Sequence, residues 1–279
     1  HKDWKPRGFH LTPLLTPYRD GPAHIYDSIS AAIHETQGTS CHLHLPDEIR
    51  FRARHHLQSL NLDPDAPTVG LHLRTSDQYP PNPRSVDRST YRDTVCLLLQ
   101  KGFQVVELGQ GERPPLSGNS RYVDLAGHKF SGETDLYIFE NAEFFIGTAS
   151  GPYLAPGIFG TPCLVTNITS FGFSPDYPNT VHVPQSLLLS DEKQFLSLTE
   201  ALDAGRYRDD QPFDGQWSYV PLTSEQLCEA ASFMLNYWHS QALTTRRVAF
   251  LDDHNTSWSY RRPLVFEPNP SIFHRRLPS

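Results

Sequence analysis

The chain of 279 residues is long enough for one large or two small domains, and its 38% hydrophobic and 20% charged residues are typical of a globular protein. Its apolar runs fall far short of the roughly 18 residues that span a bilayer, so we expect no membrane span. The formal charge of -7 argues against a nucleic-acid-coating surface, and any anion site must therefore be local.

The cysteines are widely spaced and lack the close Cys and His spacing of a structural zinc site. We therefore expect no structural zinc site, free buried thiols in a reducing compartment and a cytoplasmic location. Asn167 and Asn255 begin glycosylation sequons, which are too common by chance to indicate secretion. The first residue is a histidine and no leader-like segment follows it, so we expect that something upstream is absent. The four cysteines are Cys41, Cys96, Cys163 and Cys228.

The first 60 residues read as an extension that carries helices. Prolines 6, 13, 17 and 22 exclude a regular helix before residue 23. The spacing of apolar residues then predicts one helix over 23–37, ended by a glycine, and a second over 46–59.

From residue 61 the pattern changes to short β-rich runs that alternate with helical segments. This alternation predicts an α/β fold, a Rossmann-like parallel sheet with flanking helices, as one domain over 61–240. An extended tail rich in Arg and Pro follows over 241–279. The predicted strands are 68–74, 103–108, 122–124, 143–147, 161–166 and 180–183; the predicted helices are 89–100, 134–141, 153–159 and 224–240, and the stretch around 187–189 reads as irregular.

Polar side chains follow the first predicted strand of this domain. His72, Arg74 and Asp77 lie where the strand ends, and ligands of open α/β sheets bind beyond the carboxyl ends of the strands. An arginine there can bind two oxygens of a phosphate. Two structural readings stay open, in which Arg74 pairs with Asp77 and His72 is a satisfied core histidine.

A second group follows the strand at 143–147. Small residues, among them Thr148, Ser150 and Gly151, separate this strand from the next helix. They let the backbone approach a ligand and offer N–H groups and hydroxyls, which resembles a phosphate cradle without the Walker lysine. Ordinary helix capping is the alternative.

Two carboxylates and one Tyr-Arg pair complete the candidates. Asp124 ends a predicted strand and Asp135 begins a predicted helix, so each could bind a hydroxyl group of a ligand or simply favour a helix start. Tyr91 and Arg92 open another helix and could reach the same cleft.

The motif His72-x-Arg74-x-x-Asp77 after an apolar strand resembles the donor-binding motif of α-1,6-fucosyltransferases and protein O-fucosyltransferases, in which the arginine contacts the nucleotide diphosphate. A wider string over residues 45–274 is similar to a group of bacterial glycosyltransferases with a GT-B-like fold. Heptose-transferring enzymes share the looser pattern of small residues at 147–151 followed by Gly160-x-Pro162. The wider string comprises LHLR at 71–74, YR at 91–92, GFQVV at 102–106, Asp124, Asp135, FFIGTASG at 144–151, FGTPCLVTN at 159–167 and PSIFH at 270–274.

This resemblance implies the donor-binding half of a GT-B fold and a metal-independent glycosyltransferase. The nucleotide sugar is then a co-substrate, no cofactor is needed, and the second substrate is a glycan or another hydroxyl acceptor. Residues 1–60 are too few for an acceptor domain and would be its remnant or its contact. We therefore expect the acceptor site to come from a partner chain or a domain outside this sequence.

The resemblance also implies roles for the candidate residues. Arg74, Thr148, Ser150 and Gly151 would hold the diphosphate, since enzymes of this type use arginine and backbone N–H groups for that purpose. For the catalytic base, position after the strand makes Asp77 our candidate, with His72 as second choice. Substrate contacts are expected from Asp135, Asp124, Tyr91 and Arg92.

Two other functions fit the same residues. A phosphoryl- or pyruvyl-transferring enzyme could use the same cradle with another donor. A non-catalytic module that binds a sugar or nucleotide, or that acts as a scaffold, is the second alternative.

Overall fold

The computed structural model divides into two compact units, His1–Cys41 with Ala249–Arg262, and His42–Val248 with Pro263–Ser279. In the first unit, strands β1 (Leu15–Tyr18) and β2 (Gly21–His24) form an antiparallel pair. The predicted helix start at residue 23 is therefore wrong, and the rest of that prediction lies outside the described residues. The structure describes residues 15–18, 21–24, 43–75, 83–110, 113–126, 128, 131–169, 180–189, 194–197, 200–201, 204, 216–240 and 264–265.

The second unit contains a parallel sheet of seven strands. Their order across the sheet is β12-β8-β7-β6-β3-β4-β5, so the predicted α/β class and parallel sheet are confirmed. Short apolar runs form these strands because both faces of the sheet are covered. The strands are β3 (Thr68–His72), β4 (Gln104–Leu108), β5 (Tyr122–Asp124), β6 (Phe144–Thr148), β7 (Cys163–Ile168), β8 (Thr180–Pro184) and the short β12 (Leu264–Val265).

Helices cover both faces of the sheet, close to where the apolar spacing predicts them. The helices that begin at Arg92 and Leu154 are each preceded by a 3-10 turn, at Arg88–Tyr91 and Gly151–Tyr153 respectively. The Thr223 cap of the last helix is confirmed, because Thr223 Oγ1 accepts from Gln226 N at 3.3 Å and Gln226 Oε1 accepts from Thr223 N at 2.9 Å. The helices are α1 (Asp47–Ser59), α2 (Arg92–Gln100), α3 (Ser131–Asn141), α4 (Leu154–Phe159) and α5 (Ser224–Ser240).

The two helical layers pack on alternate residues of the strands. α2 and α5 lie over a core that includes Val69 and Leu71 of β3. On the other face, α3 packs against α1, α4 and β3, and a Cβ at Gly70 would lie 2.8 Å from Ile138 Cγ2. Glycine at position 70 therefore lets α3 approach the sheet closely.

A second sheet of three antiparallel strands lies beyond β8. It has the order β10-β9-β11, with β9 (Ser186–Leu189), β10 (Gln194–Leu196) and β11 (Trp217–Val220). The interpretation of the stretch around 187–189 as irregular is therefore wrong. β12, from the predicted tail, pairs with β8 at the sheet edge.

The strand order creates one crevice where a ligand of such a sheet is expected. From β3 the chain moves to β4 and β5 on one side, and it then returns to β6, β7 and β8 on the other. The order β5-β4-β3-β6-β7-β8 is that of a doubly wound dinucleotide-binding sheet, and ligands bind such sheets beyond the carboxyl ends at the reversal point. Here that point lies between β3 and β6.

Candidate functional site

The carboxyl ends of β3 and β6 bring the two main groups of predicted residues together. His72 pairs in register with Gly147, and the backbone N–H of Arg74 donates to Thr148 Oγ1 at 2.9 Å. The side chain of Thr148 is fully buried, so its hydroxyl group joins the two strand ends. Arg74 is half-buried at the same edge.

His72 and Ser150 form a pair across this edge. Ser150 Oγ lies 3.2 Å from His72 Nδ1 and also 3.2 Å from the carbonyl oxygen of Thr148, to which it can donate. Burial, then the positive charge of Arg113, lowers the pKa of His72 to about 4. The imidazole is thus neutral at pH 7 and too weak a base to favour proton abstraction. The role of His72 as second-choice base stays a prediction, and the contact that the structure shows for its Nδ1 is with Ser150.

Two glycines, one near the end of β6 and one in the loop that follows it, differ in their surroundings. A Cβ at Gly147 would lie 2.9 Å from Tyr153 Cβ, so glycine is needed there for close packing of the following turn. A Cβ at Gly151 would meet no atom within 4 Å, so the loop borders open space at that residue. Because α4 has only six residues, a helix dipole adds little here, and the donors that this loop offers are its own backbone N–H groups.

Tyr91 stabilises this site from inside the fold, through hydrogen bonds to residues of β7. It is fully buried, and its hydroxyl group lies 2.7 Å from Thr166 Oγ1 and accepts a hydrogen bond from Asn167 Nδ2 at 2.8 Å. Thr166 Oγ1 in turn donates to the carbonyl oxygen of Gly147 at 3.0 Å. The expected substrate contact is thus replaced by a supporting role, since the tyrosine hydroxyl group is used inside the fold. Asn167 is buried as well, which makes its sequon inaccessible in the folded protein.

Asp124 also has a structural role instead of the expected substrate contact. Its carboxylate accepts from Arg113 Nε at 2.7 Å, from Arg113 Nη2 at 2.9 Å and from Arg88 Nη2 at 3.2 Å. The backbone N–H of Ala126 donates to it at 2.9 Å. These four donors occupy both carboxylate oxygens, so Asp124 has little capacity left for a ligand hydroxyl group.

The same two arginines bind a second buried carboxylate, Glu107 of β4. Arg88 Nε and Nη2 donate to Glu107 at 2.7 and 2.6 Å, and Tyr122 Oη donates to Glu107 Oε2 at 2.5 Å. We call Arg88, Glu107, Arg113 and Asp124 the charge cluster. The sequence analysis missed Arg88, Glu107 and Arg113, although a glutamate within an apolar strand, VVEL, was an available signal for a buried ion pair.

Asp135 stands apart from the charge cluster. Its Oδ1 is buried and has no hydrogen-bond partner among the described residues, and burial raises its pKa to about 6. Asp135 precedes Ile138 by about one turn of α3. In β3, His72 follows Gly70 by two residues and lies on the same face of the strand. Since Ile138 packs on Gly70, Asp135 and His72 lie at a similar level at the carboxyl edge.

Two predicted residues are not joined to this group. Arg92 is exposed at the first position of α2. Asp77 lies outside the described residues, so its role as base, and the alternative pair with Arg74, stay predictions.

The described ranges contain neither a candidate metal cluster nor a candidate membrane-spanning helix. Within them, no group of three or more His, Cys, Asp or Glu side chains could hold a metal ion. Asp63 and Asp65 have the spacing of a DxD motif, but Asp65 forms an ion pair with Arg54 at 2.8 Å. Both aspartates precede β3, whereas the proposed ligand edge follows the carboxyl end of that strand. No helix within those ranges is long and apolar enough to cross a bilayer. Cys96, Cys163 and Cys228 are free thiols.

Comparison with known proteins identifies the fold. No family model matches the chain, and no curated protein sequence does. A glycosyl transferase family 9 structure from Veillonella parvula matches with a TM-score of 0.52 and 14% identity, over 79% of this chain and 62% of that one. E. coli ADP-heptose lps heptosyltransferase II matches with a TM-score of 0.48 and 13% identity, over 72% and 55% of the two chains.

A third solved structure, the iron-containing heptosyltransferase TibC in complex with ADP-D-beta-D-heptose, has a TM-score of 0.36 and 14% identity, over 69% of this chain and 48% of that one. The chain spans less than two thirds of the length of these three structures. The match to the family 9 structure shows that this chain shares the α/β fold of a glycosyltransferase.

Proposed function

We propose that the chain is the donor-binding part of a glycosyltransferase, which moves a sugar from a nucleotide sugar to a hydroxyl acceptor. The observation that carries this proposal is the meeting of Arg74 and the 147–151 loop at the reversal point of a sheet with a family 9 glycosyltransferase fold. Function resides in such a site rather than in the fold itself. The proposal includes that no metal ion is needed.

The residues at the reversal point suit a diphosphate leaving group. The Arg74 guanidinium can donate two parallel hydrogen bonds to phosphate oxygens. The end of the 147–151 loop offers the backbone N–H of Gly151 beside open space at that residue. In the transfer, the acceptor oxygen forms a bond to the anomeric carbon while the bond from that carbon to the diphosphate oxygen breaks. The diphosphate keeps the electron pair, which the cation and N–H groups stabilise. The acceptor proton passes to a base, for which Asp77 is our proposal.

Asp135 suits the polar part of the donor. A buried carboxylate with an oxygen that lacks a partner within the described structure can accept hydrogen bonds from sugar hydroxyl groups. Because burial disfavours its charge, ionised Asp135 lowers the stability of the protein until such a ligand binds.

This assignment predicts the pH dependence of stability. Folding raises the pKa of Asp135 from 3.8 to about 6, so its favourable contribution is complete below pH 3.8 and is lost as the pH rises through 6. We expect Asp135→Asn to be more stable than wild type by about 1–2 kcal/mol at pH 8, with the difference shrinking toward pH 4. Urea unfolding at both pH values measures it. If Asp135→Asn and wild type were equally stable at pH 8, the ionised carboxylate of Asp135 would not destabilise the protein and this assignment would be wrong.

A thermal-shift panel tests the proposed function. UDP, GDP, CMP, dTDP and ADP are compared with their common sugar conjugates, with and without EDTA. One nucleotide class is expected to raise the Tm by mass action, and EDTA is expected to leave that shift unchanged. No shift with any nucleotide at millimolar concentration would refute a nucleotide-sugar site. A shift that EDTA abolishes would refute metal independence alone.

A further inference from the structure

The charge cluster lies next to the proposed donor site and is built from buried groups. The side chains of Arg88, Glu107, Arg113 and Asp124 are 12%, 0%, 5% and 14% exposed. Two guanidinium groups and two carboxylates balance in formal charge. Such a cluster is tolerated in the interior only because each charge has a partner.

Arg113 differs from the other members because one of its nitrogens has no partner among the described residues. Its Nε and Nη2 bind Asp124, and Nη2 also donates to the carbonyl oxygen of Leu108 at 3.0 Å. Its Nη1 is buried and makes no hydrogen bond within the described structure. A buried donor without a partner costs free energy, so its retention needs a reason.

The backbone at Gly109 makes room for this guanidinium. A Cβ at Gly109 would lie 2.9 Å from Arg113 Nη1, and the residue has a φ of +142°, which side chains rarely adopt. Both features require glycine. The position of Arg113 is therefore fixed by its carboxylate partner on one side and by the Gly109 backbone on the other.

The register of the sheet brings Arg113 beside the proposed site. Leu108, whose carbonyl oxygen accepts from Arg113, is paired with His72 of the neighbouring strand. His72 in turn lies against Ser150 of the 147–151 loop. A fixed positive charge thus stands one strand away from the place where we put the diphosphate.

We propose that Arg113 is a second, buried cation beside the donor site. By balancing the carboxylates of Glu107 and Asp124, it removes a negative charge that would favour a charged His72 and would oppose the attraction of the diphosphate to Arg74. Arg113 is a positioning residue, because its guanidinium is buried and touches neither ligand nor reacting atoms. The attraction of the diphosphate rests on the proposed function, whereas the effect on His72 does not.

Arg113, on the loop after β4, is the charged group that lowers the pKa of His72 besides burial. Ser150 lies 3.2 Å from His72 Nδ1, Arg74 follows His72 by two residues, and Asp135 lies on α3 at a similar level of the sheet edge. Without the guanidinium, burial still holds the pKa of His72 below its ordinary value, but less strongly.

The titration of the His72 imidazole by NMR in ligand-free protein tests the positioning role. A His72→Gln sample identifies the resonance. We expect Arg113→Gln to raise the pKa of His72 by about 0.5 or more, and Arg113→Lys to leave it near the wild-type value. The matched control is Arg52→Gln, which removes an exposed guanidinium paired with Glu133 on the surface. An unchanged His72 titration in Arg113→Gln would overturn the proposal.

Calorimetric titration with inorganic pyrophosphate at pH 8 tests the attraction of the diphosphate. Arg113→Gln is expected to bind about tenfold more weakly than wild type, and Arg113→Lys less than threefold more weakly. Equal affinity of Arg113→Gln and wild type would overturn this part. If wild type binds neither pyrophosphate nor any nucleotide, the proposed function fails, while the His72 titration still decides the positioning role. Should Arg113→Gln not fold, Asp124→Asn serves in its place. It leaves two guanidinium groups against one carboxylate, so we expect tighter pyrophosphate binding than in wild type, and unchanged affinity would overturn this part.

Discussion

Replacing Glu107 with leucine is expected to lower the free energy of unfolding by about 3–5 kcal/mol, the range found when one partner of a buried ion pair is removed. Glu107 is fully buried and accepts from Arg88 and Tyr122, with Arg113 at 3.3 Å. Without it, two buried guanidinium groups share only the carboxylate of Asp124. Urea unfolding, followed by circular dichroism, gives the difference.

A double variant separates lost charge from lost packing. Glu107→Leu with Arg88→Met replaces a buried pair by apolar groups, so we expect it to recover much of the stability that Glu107→Leu loses. The exposed pair of Arg52 and Glu133 is the surface control, and its loss is expected to cost less than about 1 kcal/mol. A Glu107→Leu cost as small as that of the surface control would show that the cluster contributes little.

Removing the guanidinium of Arg74 is expected to lower the affinity for the nucleotide found in the thermal-shift panel at least about hundredfold, since charge-assisted hydrogen bonds to phosphate are lost in a partly buried site. The fold is expected to persist in Arg74→Ala, because the hydrogen bond to Thr148 comes from the backbone of Arg74. Calorimetry measures the affinity, and the melting temperature without ligand reports the fold.

Two further variants make this result interpretable. Arg52→Ala removes a solvent-exposed guanidinium that pairs with Glu133 on the surface. This variant is expected to bind the nucleotide with wild-type affinity. Arg74→Lys keeps the charge but not the planar pair of donors, so we expect an intermediate affinity. Unchanged nucleotide affinity in Arg74→Ala would remove this residue from the site.

The regular part of the fold was predictable from sequence because buried parallel strands leave short apolar runs between helical patterns. The strands β3 to β8 and the helix Ser224–Ser240 follow from these patterns alone. The antiparallel sheet of β9, β10 and β11 did not, since Gln194–Leu196 is three residues long and Trp217–Val220 lacks a buried face. The pairing of Trp217–Val220 with Ser186–Leu189, across a long intervening segment, leaves no local pattern.

The site was predictable where position along a strand determines it. His72 and Ser150 meet because the ends of adjacent parallel strands meet, and the sequence shows both ends. Tyr91 could not be assigned in this way, because its hydroxyl partner Thr166 is 75 residues away. Asp124 likewise finds its partner in Arg113, on a loop without any periodic pattern.

The central claim is that the edge between β3 and β6 holds the diphosphate of a nucleotide sugar. A crystal structure of the protein with the nucleoside diphosphate selected by the panel tests this claim most directly. We predict the diphosphate within hydrogen-bond distance of the Arg74 guanidinium and of the backbone N–H groups around Ser150 and Gly151. A diphosphate bound elsewhere, with this edge empty in the complex, would contradict the account.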